Sequence, residues 1–310
     1  METVSVIIPV YNGAQTIVST LDSVFAQEGV NLEIIVINDG STDQTLEVLQ
    51  TFKTQINLFS TVNQGVSHAR AFGLTKATGS YIQYLDSDDL LAPQKIRMQM
   101  QALKNKNGDV AYGDWQKFVE VNKNIIFKDK VSQEIEGDLE TTIFAKFWAP
   151  PAALLYSKRI CEKLSWSNTL PIIQDARYLL DAARSDGHFV YTPGVMAYYR
   201  TEQEYSLSQK SKLAFIKDIY QNSLEIHQCW LVSESYNQEK EKSIINSLRY
   251  TINEFRGLDR QCAKKAINAL LTIAPGYIPE EKGLLRLMSK LFGYKQAEYL
   301  AYIKRKFLKG

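Results

Sequence analysis

Tyr81-Ile82-Gln83-Tyr84-Leu85-Asp86-Ser87-Asp88-Asp89 is an apolar and aromatic run that stops abruptly in three carboxylates over four positions. A strand from Tyr81 to Leu85 delivers this acidic cluster at its C-terminal end, which is where open α/β sheets place ligands. Carboxylates at i and i+2 can face one side of extended backbone, and an oxygen-only ligand set suits Mg2+ or Mn2+ that stays partly bonded to water and phosphate. The competing reading is a solvated acidic turn, because Asp-Ser-Asp-Asp is good turn chemistry and Pro93 is placed to open a helix. The segment alone leaves both readings open.

On either side of it, short β-type runs alternate with helical patterns, as an α/β fold with a mostly parallel sheet flanked by helices requires. Val4 to Val10 reads as a buried strand. Ile17, Leu21, Val24 and Phe25 recur at helical spacing before Gly29, and Leu32 to Asn38 forms a second apolar strand. Asp39-Gly40-Ser41-Thr42-Asp43 is a turn leading into a helix that bears Leu46, Leu49 and Phe52, and Ile56 to Thr61 is a weaker third strand. Ala69, Gly73, Leu74 and Ala77 give the next helix a small-residue face, so it can lie close to the sheet, and Gly79 ends it. Strand ends therefore carry polar clusters at Tyr11-Asn12, Asp39 and Asp86 to Asp89, which converge on one edge and define a cleft.

From about Asp109 the pattern is mixed. Val110 to Tyr112 and Lys117 to Phe127 read as strands or a hairpin broken at Asn122-Lys123-Asn124, Pro150-Pro151 precedes an apolar run, and a helix spans Ile173 to Ser185. Strands follow at His188 to Tyr191 and Val195 to Tyr199, and beyond Ser206 the chain reads as helical. The expected organisation is a catalytic domain over residues 1–205, with halves 1–108 and 109–205, and a helical, basic region over 206–310. Charge divides the same way: residues 1–205 carry 18 basic and 24 acidic side chains, net −6, and 206–310 carry 18 and 10, net +8. An overall charge of +2 gives no sign of a nucleic-acid binder. Cys161, Cys229 and Cys262 are widely spaced without a CxxC pair, so a reduced compartment with buried thiols is expected rather than a zinc site. With neither a signal-like apolar run nor a bilayer-length one, a cytoplasmic protein is expected, with contact at the inner face of the membrane left open.

Several of these segments occur in a recognisable order. Val6-Ile7-Ile8-Pro9-Val10-Tyr11-Asn12, Ile35-Val36-Ile37-Asn38-Asp39-Gly40-Ser41-Thr42-Asp43, Asn63-Gln64-Gly65 with Ala69-Arg70 and Gly73-Leu74, and Gly79-Ser80-Tyr81-Ile82 with Leu85-Asp86-Ser87-Asp88-Asp89 resemble the family 2 glycosyltransferases of GT-A (Rossmann-like) fold. The resemblance covers about the first ninety residues and continues more loosely to about Arg200. It implies an inverting, metal-dependent transferase that moves a sugar from a nucleotide-sugar, UDP-linked above all, to a hydroxyl of a glycan or lipid-linked acceptor. It implies donor binding by Pro9, Tyr11, Asn12, Asp39, Asn63, Arg70 and Asp86, with Pro9 and Tyr11 walling the base and Asp39 accepting from a base N–H. Asp86 and Asp88 would hold Mn2+ or Mg2+, and Asp89 would orient the cluster. The catalytic base falls at Asp175, where relatives carry an acidic pair.

This sequence departs from the family pattern at Gln174, which leaves one carboxylate instead of two. It departs again at Phe72, where many relatives have Asn, and after Tyr199-Arg200, where no histidine follows to complete a metal site. Gln174 keeps a second reading open, a catalytically degenerate module that binds a nucleotide-sugar. Nucleotidyl transfer is disfavoured because no glycine-rich GxG run with a basic residue follows the first strand. Arg200 reads as a diphosphate ligand or a structural ion pair, Trp148 as a sugar-stacking or core residue, and the histidines as structural. From Leu284 to Leu308, apolar and basic residues interleave almost without acid. An anionic membrane surface, a helical extension packed on the catalytic domain and a homodimer face all remain open for that segment.

Overall fold

The computed structural model describes residues 2–122, 124–201, 211–233, 236–280 and 283–308. The chain divides into two compact units, Met1–Lys210 and Ser211–Gly310. The boundary expected at 205/206 lies outside the described residues.

The first unit is built on a nine-stranded sheet with strand order β3-β2-β1-β4-β8-β6-β9-β5 and β7 paired to β6. The strands are β1 (Thr3–Val10), β2 (Asn31–Asp39), β3 (Asn57–Thr61), β4 (Tyr81–Tyr84), β5 (Leu90–Leu91), β6 (Val110–Val121), β7 (Asn124–Val131), β8 (Leu154–Ser157) and β9 (Phe189–Arg200). From β3 to β4 every pairing is parallel, whereas β8 runs antiparallel to both its neighbours, so the sheet as a whole is mixed. Val4 to Val10 is buried throughout, as expected of an inner parallel strand covered on both faces.

Pro9 sits in this inner strand without breaking a ladder. The β1–β4 register ends at Ile7↔Tyr84, and Ile7 makes its last bond on that side by accepting from Leu85 N. Pro9, two residues on, faces the same side past the end of β4, so its missing N–H removes no partner. The helices α1 (Ile17–Phe25), α2 (Thr45–Gln50), α3 (Val66–Lys76) and α4 (Lys95–Lys106) follow the first strands in turn. A Cβ on Gly73 would stand 2.4 Å from Ile7 Cγ2, so only glycine lets α3 approach β1 this closely.

Beyond β7 come α5 (Leu139–Ala145), α6 (Lys158–Cys161) and α7 (Gln174–Arg184). The two strands expected around Pro193-Gly194 are one strand, β9. Thr192 aligns with Gly113 and Val195 with Asp114, so Pro193 and Gly194 bulge into solvent while the pairing continues. Asp109, just before β6, ties three strands. Its carboxylate accepts from Ser157 Oγ at 2.9 Å, Arg159 Nη2 at 2.8 Å and His188 N at 3.2 Å.

The second unit is helical: α8 (Lys212–Val232), α9 (Gln238–Leu258), α10 (Arg260–Ile273), α11 (Leu284–Phe292) and α12 (Tyr294–Leu308). Its helix starts are written in capping residues. Ser211 accepts from Ala214 N, Asn237 from Glu239 N and Lys240 N, and Asp259 from Gln261 N and Cys262 N. Trp230, Ile244, Leu248, Ile252, Phe255 and Leu270 are buried within it. Glu298 is also buried and pairs with both Arg249 and Arg256. The three cysteines are free, and burial pushes the Cys161 thiol up to about 12.

Candidate functional site

β2, β1 and β4 are adjacent and parallel, so their ends lie along one edge of the sheet, and the loops there are knit by side-chain acceptors. Asn12, in the left-handed region at φ 52°, accepts from Thr42 N at 2.8 Å and gives its own N–H to Ser41 Oγ at 3.0 Å. Asp39 is 3% exposed and accepts from Gln64 N at 3.0 Å and Gly65 N at 2.8 Å, so it fixes the loop that starts α3. A carboxylate has about four lone-pair sites, and Thr61 Oγ1, donating at 3.3 Å, takes a third. Gly40, at φ +70°, lies where a Cβ would be 2.7 Å from Asn63 N; the Asp-Gly turn and the exposed Asn63 are thus in direct backbone apposition. Tyr11 stands 51% exposed beyond the buried Pro9.

Arg70 is buried, not free in the cleft. It pairs with Asp86, donates Nη1–H to Gln174 Oε1, and lies 4.6 Å from the centroid of the Trp166 ring. The residue that departs from the family pattern, Gln174, is therefore the one that holds this arginine. A neutral acceptor there leaves Asp86 as the only carboxylate paired with the guanidinium among the described contacts. Trp166 in turn stacks on Tyr178 at 4.0 Å, with Tyr84 edge-on to both rings. Sequence reading missed this aromatic floor, because residues 164–171 carry no periodicity that would mark Trp166 as core.

After β4 the carboxylates diverge in environment. Asp86 and Asp88 are partly exposed, whereas Asp89 is 1% exposed and accepts from Arg200 N at 2.9 Å. Burial, then the charges of Asp88 and Asp86, hold the Asp89 carboxyl well above the usual range against the opposing Arg200. Asp89 therefore acts within the cluster and not at its mouth. Arg200 is spent on structure: Nε donates to the Asp88 carbonyl at 2.8 Å and Nη1 pairs with Glu120 at 2.7 Å.

Asp175 lies in the first turn of α7 and accepts from Trp148 Nε1 at 3.1 Å. Desolvation raises its carboxyl above the ordinary range and Asp86 adds to the rise, while Arg70, the Ala176 N–H and Trp148 oppose it. Trp148 stands edge-on to Trp115 at 5.4 Å and to Tyr199 at 5.6 Å, so it packs against neighbouring rings and also orients this carboxylate. Tyr199 links the two sides of the site. Its phenol is pushed up first by burial and then by the charges of Asp89, Asp86, Asp88 and Asp175 together.

The segment between Trp148 and β8 is fixed from below by a second network. Lys95, 1% exposed, donates to Gln83 Oε1 and to the Leu154 carbonyl at 2.7 Å. Gln83 donates to the Pro151 carbonyl at 3.1 Å and Gln99 to the Ala153 carbonyl at 2.9 Å. Burial holds the Lys95 ammonium well below its usual range.

Among the described residues no group of three or more His, Cys, Asp or Glu is arranged to hold a metal ion. Asp86, which is paired with Arg70, and Asp88 are partly exposed carboxylates two residues apart after β4. Mg2+ is commonly held by one or two carboxylates with substrate phosphates and water completing its shell, and this donor set fits that pattern.

The sequence profile of glycosyl transferase family 2 matches residues 5–158. The chain is 38% identical over 122 residues to an uncharacterized glycosyltransferase of Rickettsia bellii, a match that covers 39% of this chain and 18% of that protein. It is 32% identical over 130 residues to glycosyltransferase GlyG of Streptococcus pneumoniae, covering 41% of this chain and 43% of GlyG. The match thus spans less than half the length of each of these curated relatives. Among solved structures, S. aureus TarS 1–349 in complex with UDP-GlcNAc aligns with a TM-score of 0.63 at 16% identity, covering 89% of this chain and 82% of that one. The mannosyltransferase PcManGT from Pyrobaculum calidifontis, in complex with GDP-Man and Mn2+, aligns with a TM-score of 0.59 at 17% identity, covering 97% and 82%. Residues 5–158 thus form a glycosyl transferase family 2 domain, and the fold is GT-A.

Proposed function

We propose that this protein is an inverting glycosyltransferase that transfers a sugar from a nucleotide-sugar, UDP-linked in the leading case, to a hydroxyl of a glycan or lipid-linked acceptor. Tyr11, Asn12, Asp39 and Asn63 line the base and ribose end at the tips of β1 and β2. Asp86 and Asp88 are the residues that would hold Mn2+ or Mg2+, which when bound neutralises charge on the departing diphosphate. Arg70 positions Asp86 by pairing with it from the buried side. Asp175 takes the acceptor proton as the hydroxyl attacks the anomeric carbon in a single displacement.

The observation that supports the reading is Arg70, which pairs with Asp86 after β4 and donates to Gln174, the neighbour of Asp175 in α7. The donor-side carboxylate and the start of the helix that bears the base are thereby tied to one buried cation. A base needs a pKa nearer its working pH than an exposed aspartate has, and desolvation moves Asp175 that way. The UDP-GlcNAc held by TarS and the GDP-Man held by PcManGT support a nucleotide-sugar donor, and a UDP-linked one is our reading for this chain.

Calorimetric titration of UDP with Mn2+, repeated with chelator and with Asp88→Ala, tests the donor site. Binding that needs both metal and Asp88 is expected. Failure of UDP, GDP and dTDP alike would sink the reading. A module that binds donor without transferring it is the alternative, favoured by the single carboxylate at the base position. Tight donor binding with neither hydrolysis nor transfer, across an acceptor panel, would support that alternative.

A further inference from the structure

The helix α11 half-buries Leu285 and Met288 but leaves a second apolar stripe uncovered. Its residues step by about 100° each, so Leu284, Leu287 and Leu291 form one stripe with Phe292 at its border. These four side chains are 55%, 54%, 64% and 55% exposed, while Ser289, on the far side, is 4% exposed. A helix that turns an apolar stripe to solvent and its serine inward has a face made for something else.

Charge identifies the occupant. Residues 284–310 hold seven basic side chains, at Arg286, Lys290, Lys295, Lys304, Arg305, Lys306 and Lys309, and one acid, Glu298. Glu298 is buried and already shared by Arg249 and Arg256, so it screens none of the surface charge. A second copy laid on this face would bring two segments of net +6 together, which disfavours a homodimer. An anionic surface of lipid headgroups satisfies both features, because it takes apolar side chains below the headgroups and lysine and arginine among them. The helix has nine residues, about 14 Å at 1.5 Å each, far short of a bilayer core of about 30 Å. It would therefore lie on the surface. The same unit also carries a groove of about 390 Å3 whose lining includes Arg260, Lys264, Lys295 and Tyr299, again cationic and aromatic.

We propose that α11 docks the protein on an anionic membrane surface through Leu284, Leu287, Leu291 and Phe292, with Arg286, Lys290 and Lys295 engaging phosphate headgroups. The proposal stands independently of the donor site, since its test uses no nucleotide. The full chain is sedimented with vesicles of equal parts phosphatidylglycerol and phosphatidylcholine, and with vesicles of phosphatidylcholine alone. Strong, salt-sensitive binding to the anionic vesicles is expected, with at least tenfold weaker binding to the neutral ones. Leu287→Glu/Leu291→Glu should lose at least tenfold in affinity while keeping its circular dichroism and melting temperature, because both side chains already face solvent. Three results overturn the proposal: no binding to anionic vesicles, unchanged binding by the double variant, or a dimer in solution that the double variant dissolves.

Discussion

The hydrogen bond from Trp148 Nε1 to Asp175, 3.1 Å long, gives the most discriminating test of the site. Trp148→Phe removes one N–H donor but keeps a ring to pack against Trp115 and Tyr199. A hydrogen bond to a charged group contributes about 1.5–3 kcal/mol, and the partial exposure of Asp175 argues for the lower end. The donor stabilises the ionised carboxylate, so its loss makes Asp175 harder to deprotonate. At 1.36 kcal/mol per pH unit, about 1.5 kcal/mol moves the acid limb of the rate profile toward neutrality by roughly one unit. At a fixed pH on that limb, turnover should fall roughly tenfold. On the upper plateau it should be nearly unchanged, because a somewhat more basic carboxylate removes a proton at least as well. The assay is steady-state release of UDP from a UDP-sugar with acceptor, from pH 5 to 9. An acid limb that stays in place, or a loss uniform across pH, would refute the assignment of Asp175 as the base oriented by Trp148.

Asp175→Ala should lower turnover by about 10²–10⁴ while leaving UDP affinity within a few fold, and a large loss of UDP binding would move Asp175 to the donor site instead. Asp88→Asn should weaken UDP binding in Mn2+ but change nothing in chelator; equal weakening in both would remove Asp88 from the metal set. Asp109 has a lowered carboxyl: burial alone would raise it, but His188 N, Arg159 and Ser157 more than offset that. Its stabilisation is thus complete above the unfolded value of about 3.9 and is lost as pH falls through the lower folded one. Asp109→Asn should therefore cost about 2–4 kcal/mol in urea unfolding at neutral pH, and the gap should close in strong acid. Lys95 has linkage of the same sign in a higher pH window: its lowered folded pKa means that native stability rises with pH until the unfolded lysine titrates near 10.4. Lys95→Met should abolish that rise between pH 7 and 10, and parallel urea midpoints for both proteins would contradict a buried, weakly protonated lysine.

Much of the donor side was legible in sequence because its signals are local. Buried parallel strands read as unbroken apolar runs, the Asp-Gly turn demands a left-handed glycine, and the small face of α3 records its closeness to β1. The pieces that escaped are those set by distant partners. Leu90-Leu91 is too short to show a period and is a strand only because Tyr198 and Ala197 lie opposite. Pro193-Gly194 looked like a break because a proline there costs a ladder bond, which the bulge avoids by displacing both residues. Arg70 was read as a cation reaching the donor, and nothing near it in sequence announces Gln174, more than a hundred residues on, as its acceptor. The tie between Trp148 and Asp175 is likewise invisible from either neighbourhood.

The antiparallel strand β8 has a consequence for how the chain emerges from the ribosome. β4 finds β1 early, but its other edge is closed only when Tyr156 and Ser157 arrive opposite Ile82 and Tyr81. Synthesis proceeds at about 5–20 residues per second, so some seventy residues of delay leave a buried-type strand with an open edge for roughly 4–15 s. Such an edge is a template for pairing with another nascent chain. Asp86, Ser87, Asp88 and Asp89 follow it directly, and carboxylates flanking an apolar strand are the usual guard against that pairing. The acidic cluster thus has work to do before there is any cleft, and charge-removing substitutions in it should lower the yield of soluble protein as well as its activity.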